Sequence, residues 1–397
     1  MYFHPFLNTI AMDDLFDKPV DRRHTDSIKW DSAGADVLPM WIADMDFKTA
    51  PAIQEALERR VAHGIFGYTQ TPARFYDAIA GWWSKRHGFT LQPDWLVPVP
   101  GVVPALSAII RSLTEPGDKV LVQPPVYNHF FASIAHGDRE VVPNNLLLRD
   151  GGYEIDFDDL EARAADPAVK LLLLSNPHNP AGRVWTADEL LRIGGICLRH
   201  QVTVISDEIH SDLVFDPHRH VPFASLDPAF ARQSITVSSP TKTFNIAGLQ
   251  AAYLFSANNR LREPVQATLK VQEMVLLSPL AIEAFIAAYE HGEPWLASLK
   301  AYLTNNFRYL RDFCGTHLPQ LGVLPLQATY LAWLDGRAVI PSAAAFAEKL
   351  LHEQRLWVSP GTLYGDAGEG FLRINIACPR ALLEEGLARL SRAFQEG

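Results

Sequence analysis

The chain has 397 residues, 48% of them apolar and 20% charged; it is too long for one ordinary core and too apolar to be disordered, so two domains are expected. A net charge of −10 at pH 7 without any Lys/Arg block excludes a nucleic-acid footprint. Cys197, Cys314 and Cys378 lie far apart, which gives no disulfide framework or metal-ligand spacing and suits a reducing cytoplasm.

The N-terminus, MYFHPFLNTIAMDDLFD, lacks a basic region and turns acidic at Asp13, so no signal peptide is expected. PVPGVVPALSAII (98–110) places Gly101 before an apolar helix, whose free amides could hold an anion such as phosphate, although such a glycine is more often a plain turn. The strand-like DKVLVQ (118–123) leads into PPVYNHFF (124–131), where Tyr127 could stack on a ring or simply pack. VKLLLLS (169–175) is strand-sized and far short of a membrane span. It is followed by SNPHNPAG (175–182), in which two Asn-Pro pairs and a glycine predict a rigid loop that fixes Asn179.

TADELLRIGGICLRH (186–200) predicts a helix opened by a capping box, Thr186 with Glu189. VTVIS (202–206) ends at Asp207 of SDEIHSD, a carboxylate that either needs a cation or caps the next turn. DPHRHVPF (216–223) reads as a surface turn. SITVS (234–238) and AAYLFS (251–256) flank SSPTKTFNIAGLQ, with Lys242 alone among small and apolar residues. That lysine is either a loop cation in water or an amine whose pKa burial lowers for covalent chemistry.

A long helical stretch is expected over 262–312. ATYLAWLD (328–335) and FLRINIA (371–377) alternate like half-covered strands, and PRALLEEGLARLSRAF (379–394) reads as an amphipathic closing helix. Near-continuous strands separated by helices predict a mostly parallel α/β sheet covered on both faces, with ligands at the strands' carboxyl ends. A large α/β domain is placed at 50–290, and a smaller α+β domain at 1–49 with 291–397.

Five stretches follow strand-like runs, and pyridoxal 5'-phosphate would use them all. Its aldehyde needs a lysine, its phosphate a helix N-terminus and hydroxyls, its ring an aromatic cover, its O3' a donor and its pyridine nitrogen a carboxylate. The stretches SIKWD, LPMWIADMDF, HGIFGYT, PGVVPALS, PPVY, SNPHNPAG, SDEIHSDL, SSPTKTFNIAGLQ, ATYLAWLD and FLRINIACPR carry a closer likeness. Through them the chain resembles fold-type I, class I/II aminotransferase-like enzymes over nearly its whole length, and more narrowly the MalY/PatB cystathionine β-lyase branch. The resemblance begins near Met12, so residues 1–11 are expected to be an extension or an early start codon.

The resemblance implies an aspartate aminotransferase-like fold and a homodimer. Lys242 would be joined to the cofactor and move the substrate's α-proton, Asp207 would pair with the pyridine nitrogen, Asn179 would bond O3', and Tyr127 would stack on the ring. The amides of Val102 and Val103, with Ser239, would hold the phosphate, and Tyr68 would reach it from the other subunit. Arg373 would grip the substrate α-carboxylate. Two positions depart from classical aspartate aminotransferases: Gln250 stands where a phosphate-binding arginine is usual, and His210 where a tyrosine helps hold O3'. Both fit the lyase branch. The implied activity is a cytoplasmic carbon–sulfur β-lyase, with an aminotransferase or a regulatory interaction protein on the same fold as alternatives.

Overall fold

The computed structural model describes residues 14–395, so the expected extension at 1–11 lies outside the described residues. A seven-stranded sheet runs in the order Leu96–Val99, Ala252–Phe255, Ser234–Ser238, Thr203–Asp207, Val169–Ser175, Lys119–Val122, Glu140–Pro143. The last five are mutually parallel. Ala252–Phe255 runs antiparallel to both its neighbours, an exception to the parallel pattern that its continuous apolar run does not reveal.

Alternate residues of these strands feed two cores. Leu171 and Leu173 pack with Ile205, Val237 and the helix Val102–Leu113, whereas Leu172 and Leu174 pack with Leu190, Ile193 and Ile196 on the other face. Each fully buried Leu or Ile contributes ~1.5–3 kcal/mol, which is why such strands read as unbroken hydrophobic runs. The capping-box helix forms over Ala187–Arg199, with Glu189 N donating to Thr186 Oγ1. Its interior Gly194 is needed for packing, because a Cβ there would meet the Phe230 ring at 2.3 Å.

The expected helical stretch 262–312 forms as three helices, Asn259–Val271, Pro279–His291 and Glu293–His317. Ser278 caps the second and Pro279 starts it, a stop-and-start signal inside a region of continuous helical periodicity. A second, four-stranded sheet runs Gly322–Val323, Leu331–Asp335, Phe371–Asn375, Ser359–Pro360, antiparallel throughout. Its central strands are buried rather than half-covered. The polar residues behind the alternation, Arg373 and Asn375, are 5% and 1% exposed, and both hydrogen-bond inside the protein. The closing helix spans Arg380–Gln395. Among the described residues no helix is long and apolar enough to cross a membrane.

Between the two sheets runs the irregular segment 41–47, held largely by side chains. Asn375 Nδ2 donates to the carbonyls of Ile42 and Asp44, Asn245 Nδ2 to those of Met45 and Phe47, and Ser359 Oγ to that of Trp41. Below it a buried ion cluster fixes the segment's end. Asp46 accepts from Lys29 Nζ at 2.7 Å, Arg22 Nη1 at 2.9 Å and Trp30 Nε1 at 2.7 Å. Lys29 is 1% exposed. Asp46→Ala would leave that ammonium buried without a carboxylate. We expect a loss of about 3–5 kcal/mol, measured as a lower denaturant midpoint at unchanged slope.

Candidate active site

The carboxyl ends of the parallel strands face one way, and the expected site residues follow them. Ser175 and Asp207 are register partners on adjacent strands, and Asp207 pairs with Val237 on the next. Asn176 N donates to Asp207 O at 2.9 Å, so the Asn-Pro loop starts fixed against the acid-bearing strand. Asn179 N donates to Ser175 Oγ at 3.2 Å, and His178, fully buried, ties the same loop to the Gln123 carbonyl at 3.2 Å.

The charges here differ from most buried charges elsewhere in the molecule. Lys29 has Asp46, Glu208 has His220 at 2.7 Å, and Asp212 has Arg86 at 3.1 Å. Asp207, Lys242 and Arg373 form no ion pair among the described residues. Asp207 is 5% exposed and its carboxylate takes one hydrogen bond, from the Ile209 amide at 3.2 Å. Burial pushes its pKa up to about 7, aided by the Glu208 charge, while the Ile209 amide and Lys242 oppose the rise. Burial also pushes the Lys242 amine down to about 8, against the attraction of Asp44 and Asp207 and with the Arg373 charge lowering it further. The amine donates to the Ala43 carbonyl at 2.7 Å.

Arg373 is oriented before any ligand arrives. Nη1 donates to Asn179 Oδ1 at 3.2 Å and Nη2 to the Trp41 carbonyl at 2.9 Å, and the guanidinium lies 4.7 Å over the Tyr364 ring. Its Nε is buried without a partner, so the Nε–Nη2 edge keeps donors for a carboxylate. The Nδ1 of His210 is likewise buried and unpartnered. Burial, Lys242 and Arg373 depress that imidazole to about 3, so it stays neutral.

Tyr127 sits at the start of the helix Asn128–Ala135, and burial raises its phenol with help from the Asp207 charge. Gly101 starts the helix Val102–Leu113, where Ala105 N makes the first turn's bond to Gly101 O at 3.1 Å. The amides of Val102 and Val103 precede that bond, and Pro104 has none. Ser239 Oγ donates at 2.8 Å to Ala251 O and also contacts Thr241 Oγ1 at 2.8 Å, so its proton is engaged within its own turn. Gln250 is exposed, in the left-handed region at φ 51°. Tyr68 is fully exposed, beside exposed Ile65 and Phe66.

The structure therefore brings together Lys242, Asp207, Asn179, His210, Arg373 and Tyr127, and leaves Tyr68 apart from them on the surface. Sequence reasoning missed the segment 41–47, whose Ala43 carbonyl holds both Lys242 and, at 3.1 Å, the buried Tyr330 hydroxyl. Its apolar-acidic run LPMWIADMDF gives no sign that backbone carbonyls are the working groups. The surface-turn reading of DPHRHVPF fails at its end, because His220 is buried against the fully buried Glu208.

Residues 35–390 match the family model "Aminotransferase class I and II". The chain belongs to that family. It is similar to cystathionine beta-lyase PatB of Bacillus subtilis, 45% identical over 96% of this chain and 99% of that protein. It is also similar to protein MalY of Escherichia coli, 40% identical over 96% and 98% of the two chains. Among solved structures, cystalysin from Treponema denticola, which contains a pyridoxal 5'-phosphate cofactor, superposes with a TM-score of 0.94 at 34% identity, covering 96% of this chain and 98% of cystalysin.

The depressed amine makes a direct prediction. In the cofactor-free chain, acylation of Lys242 should reach half its maximal rate near pH 8, because only the neutral amine reacts and that form appears above the lowered pKa. Surface lysines should keep gaining rate toward the ordinary 10.5. Mapping the labelled peptides across pH checks it; a Lys242 profile that tracks the surface lysines would refute the shift.

Proposed function

We propose that this chain is a pyridoxal 5'-phosphate-dependent carbon–sulfur β-lyase. It cleaves L-cystathionine, or a related L-cysteine S-conjugate, with water to a thiol, pyruvate and ammonia; with cystathionine the thiol is homocysteine. The observation that carries this reading is the convergence of a carboxylate, an amine and a guanidinium that are at least partly buried and share no ion pair. Buried ionisable groups without partners mark functional sites. Similarity to PatB along both chains supports the substrate class.

The residues present fit the cofactor. Lys242 offers an amine for its aldehyde, and Asp207 a buried acid for its pyridine nitrogen. Asn179 Nδ2, which donates to nothing among the described residues, suits O3', and His210, whose Nδ1 is unpartnered, is a second candidate for it. The amides of Val102 and Val103 suit the phosphate, and Tyr127 suits the ring face. Ser239 joins them only by turning its hydroxyl away from Ala251 O.

The bound cofactor supplies an electron sink for the pair left when the substrate loses its α-proton. Arg373 binds the α-carboxylate along its Nε–Nη2 edge and so orients the α-carbon. Lys242 takes the α-proton; with a pKa of about 8 its neutral form is present near neutral pH while it remains basic enough to act. Asp207, ionised once it faces a cation, keeps the ring nitrogen charged. A β-thiolate departs more readily than hydride or a carbon chain, which favours elimination over transfer of the amino group.

The fully exposed Tyr68, beside exposed Ile65 and Phe66, supports a homodimer in which it reaches the phosphate site of a second copy. We assign a large cofactor-binding domain to 50–290 and a small domain to 1–49 with 291–397. Three buried free cysteines support a reducing, cytoplasmic setting.

With L-cystathionine and no keto acid, the holoenzyme should release pyruvate, ammonia and homocysteine in equal amounts. L-alanine or L-aspartate with 2-oxoglutarate should give glutamate far more slowly. If cleavage requires a keto acceptor, the chain is an aminotransferase. Arg373→Lys replaces a bidentate fork by a point charge, at a cost of ~1.5–3 kcal/mol. The expected loss is roughly ten- to a hundredfold in kcat/KM; an unchanged value places the carboxylate elsewhere.

A further inference from the structure

Asp212 is 4% exposed yet takes part in none of the steps above. Its Oδ1 collects three donors: Trp82 Nε1 at 3.0 Å, Arg86 Nε at 3.1 Å and His87 Nε2 at 3.2 Å. Arg86 Nη2 also donates to the Asp212 carbonyl at 3.2 Å. The three donors belong to one helix, Ala73–His87. A carboxylate clamped this way cannot rotate, so its second oxygen is a fixed acceptor. That oxygen, Oδ2, receives the Thr243 hydroxyl at 3.2 Å.

Thr243 is fully buried and directly follows Lys242. Asp212 lies in the turn that leaves Asp207. The two turns are already joined at their roots, where Glu208 N donates to Val237 O at 2.9 Å and Ser238 Oγ to Glu208 O at 3.2 Å. Past the strand ends, the Asp212–Thr243 bond is the side-chain hydrogen bond that links them among the described residues. A planar ligand bonded at one end to Asp207 and at the other to Lys242 has one length, so their separation must be held.

We propose that Asp212 is a positioning residue that acts through Thr243 to hold the Lys242 turn at a fixed separation from Asp207. This rests on the lyase reading, since it needs a ligand that spans both residues. Asp212 touches neither substrate nor cofactor. Its effect falls on how Lys242 is aimed, and substrate affinity through Arg373 is untouched.

The test uses the holoenzyme, with Thr243→Val to remove the link, Thr243→Ser to restore the hydroxyl, and Asp212→Asn. Each is read by kcat and KM for cystathionine, and by the rate at which added pyridoxal 5'-phosphate becomes borohydride-trappable on Lys242. Misplacing a reacting group by a fraction of an ångström or more costs on the order of ten- to a hundredfold. Thr243→Val should lose that much in kcat and slow trapping, with KM nearly unchanged, and Thr243→Ser should recover most of both. The double variant Asp212→Asn/Thr243→Val should lose no more than Thr243→Val alone, because the valine already cuts the link through which Asp212 acts. If Asp212→Asn does not fold, the two Thr243 variants decide. Wild-type kcat and trapping in Thr243→Val, or no recovery in Thr243→Ser, would overturn the proposal. Failure of the wild-type chain to trap cofactor on Lys242 would instead bring down the lyase reading, and is read before any variant is made.

Discussion

Removing Asp207 and Lys242 from water moves their pKa values towards one another, to about 7 and about 8. Neither charge is cancelled by an ion pair, and the cost of that is carried by the sheet. Five parallel strands with both faces covered provide enough buried area to tolerate two unpaired ionisable groups at one edge. Elsewhere the molecule pairs Lys29 with Asp46 and His220 with Glu208, and gives the buried Arg262 guanidinium the Ser256 carbonyl. An unpaired buried charge costs several kcal/mol, so leaving three together is stable only where a ligand is to supply their partners.

Holding such groups in place needs supports that do not neutralise them. Segment 41–47 does this with backbone carbonyls. Trp41 O takes one N–H of Arg373 together with the Ser359 hydroxyl, and Ala43 O takes the Lys242 amine, while Asn375 and Asn245 fix the carbonyls of Ile42, Asp44, Met45 and Phe47. A carbonyl orients a cation without presenting a full negative charge, so Lys242 keeps its depressed pKa. The ion cluster at Asp46 then anchors the segment from outside the site. Arg373 on the small sheet and Lys242 beyond a strand of the large sheet are thereby referred to one stretch of chain.

How much of this the sequence discloses follows from what each feature depends on. The strand Val169–Ser175, the capping box at Thr186 and the loop bearing Asn179 depend on local patterning, and each forms as expected. Asp207 and Lys242 are legible because each follows an apolar run, where a charge has no structural reason to be. The helix break at Ser278 is hidden by uninterrupted periodicity on either side. Arg373 and Asn375 imitate a solvent-facing alternation, since a strand facing a polar site has the same period as one facing water. The pairing of His220 with Glu208 and the role of segment 41–47 depend on contacts between distant residues, and no local pattern encodes those.

The residues shared by elimination and transamination cannot by themselves choose between them, so on the lyase reading the balance rests on the leaving group, and the neighbours of Lys242 set only how much free amine is present. His210 is one of those neighbours. The charge of Lys242 is one cause of the imidazole's depressed pKa, and the effect is mutual: a protonated imidazole at 210 would weaken the amine in turn. Burial, with Nδ1 unpartnered, holds the imidazole at about 3 and so keeps it neutral. Arg373 then remains the cation that Lys242 feels most directly, and Asp44 and Asp207 oppose it. The amine is held near 8, low enough to be partly free near neutral pH and, in the role proposed for it, basic enough to take an α-proton. The rest of the outcome passes to the bond at the β-carbon, where a thiolate is the better leaving group.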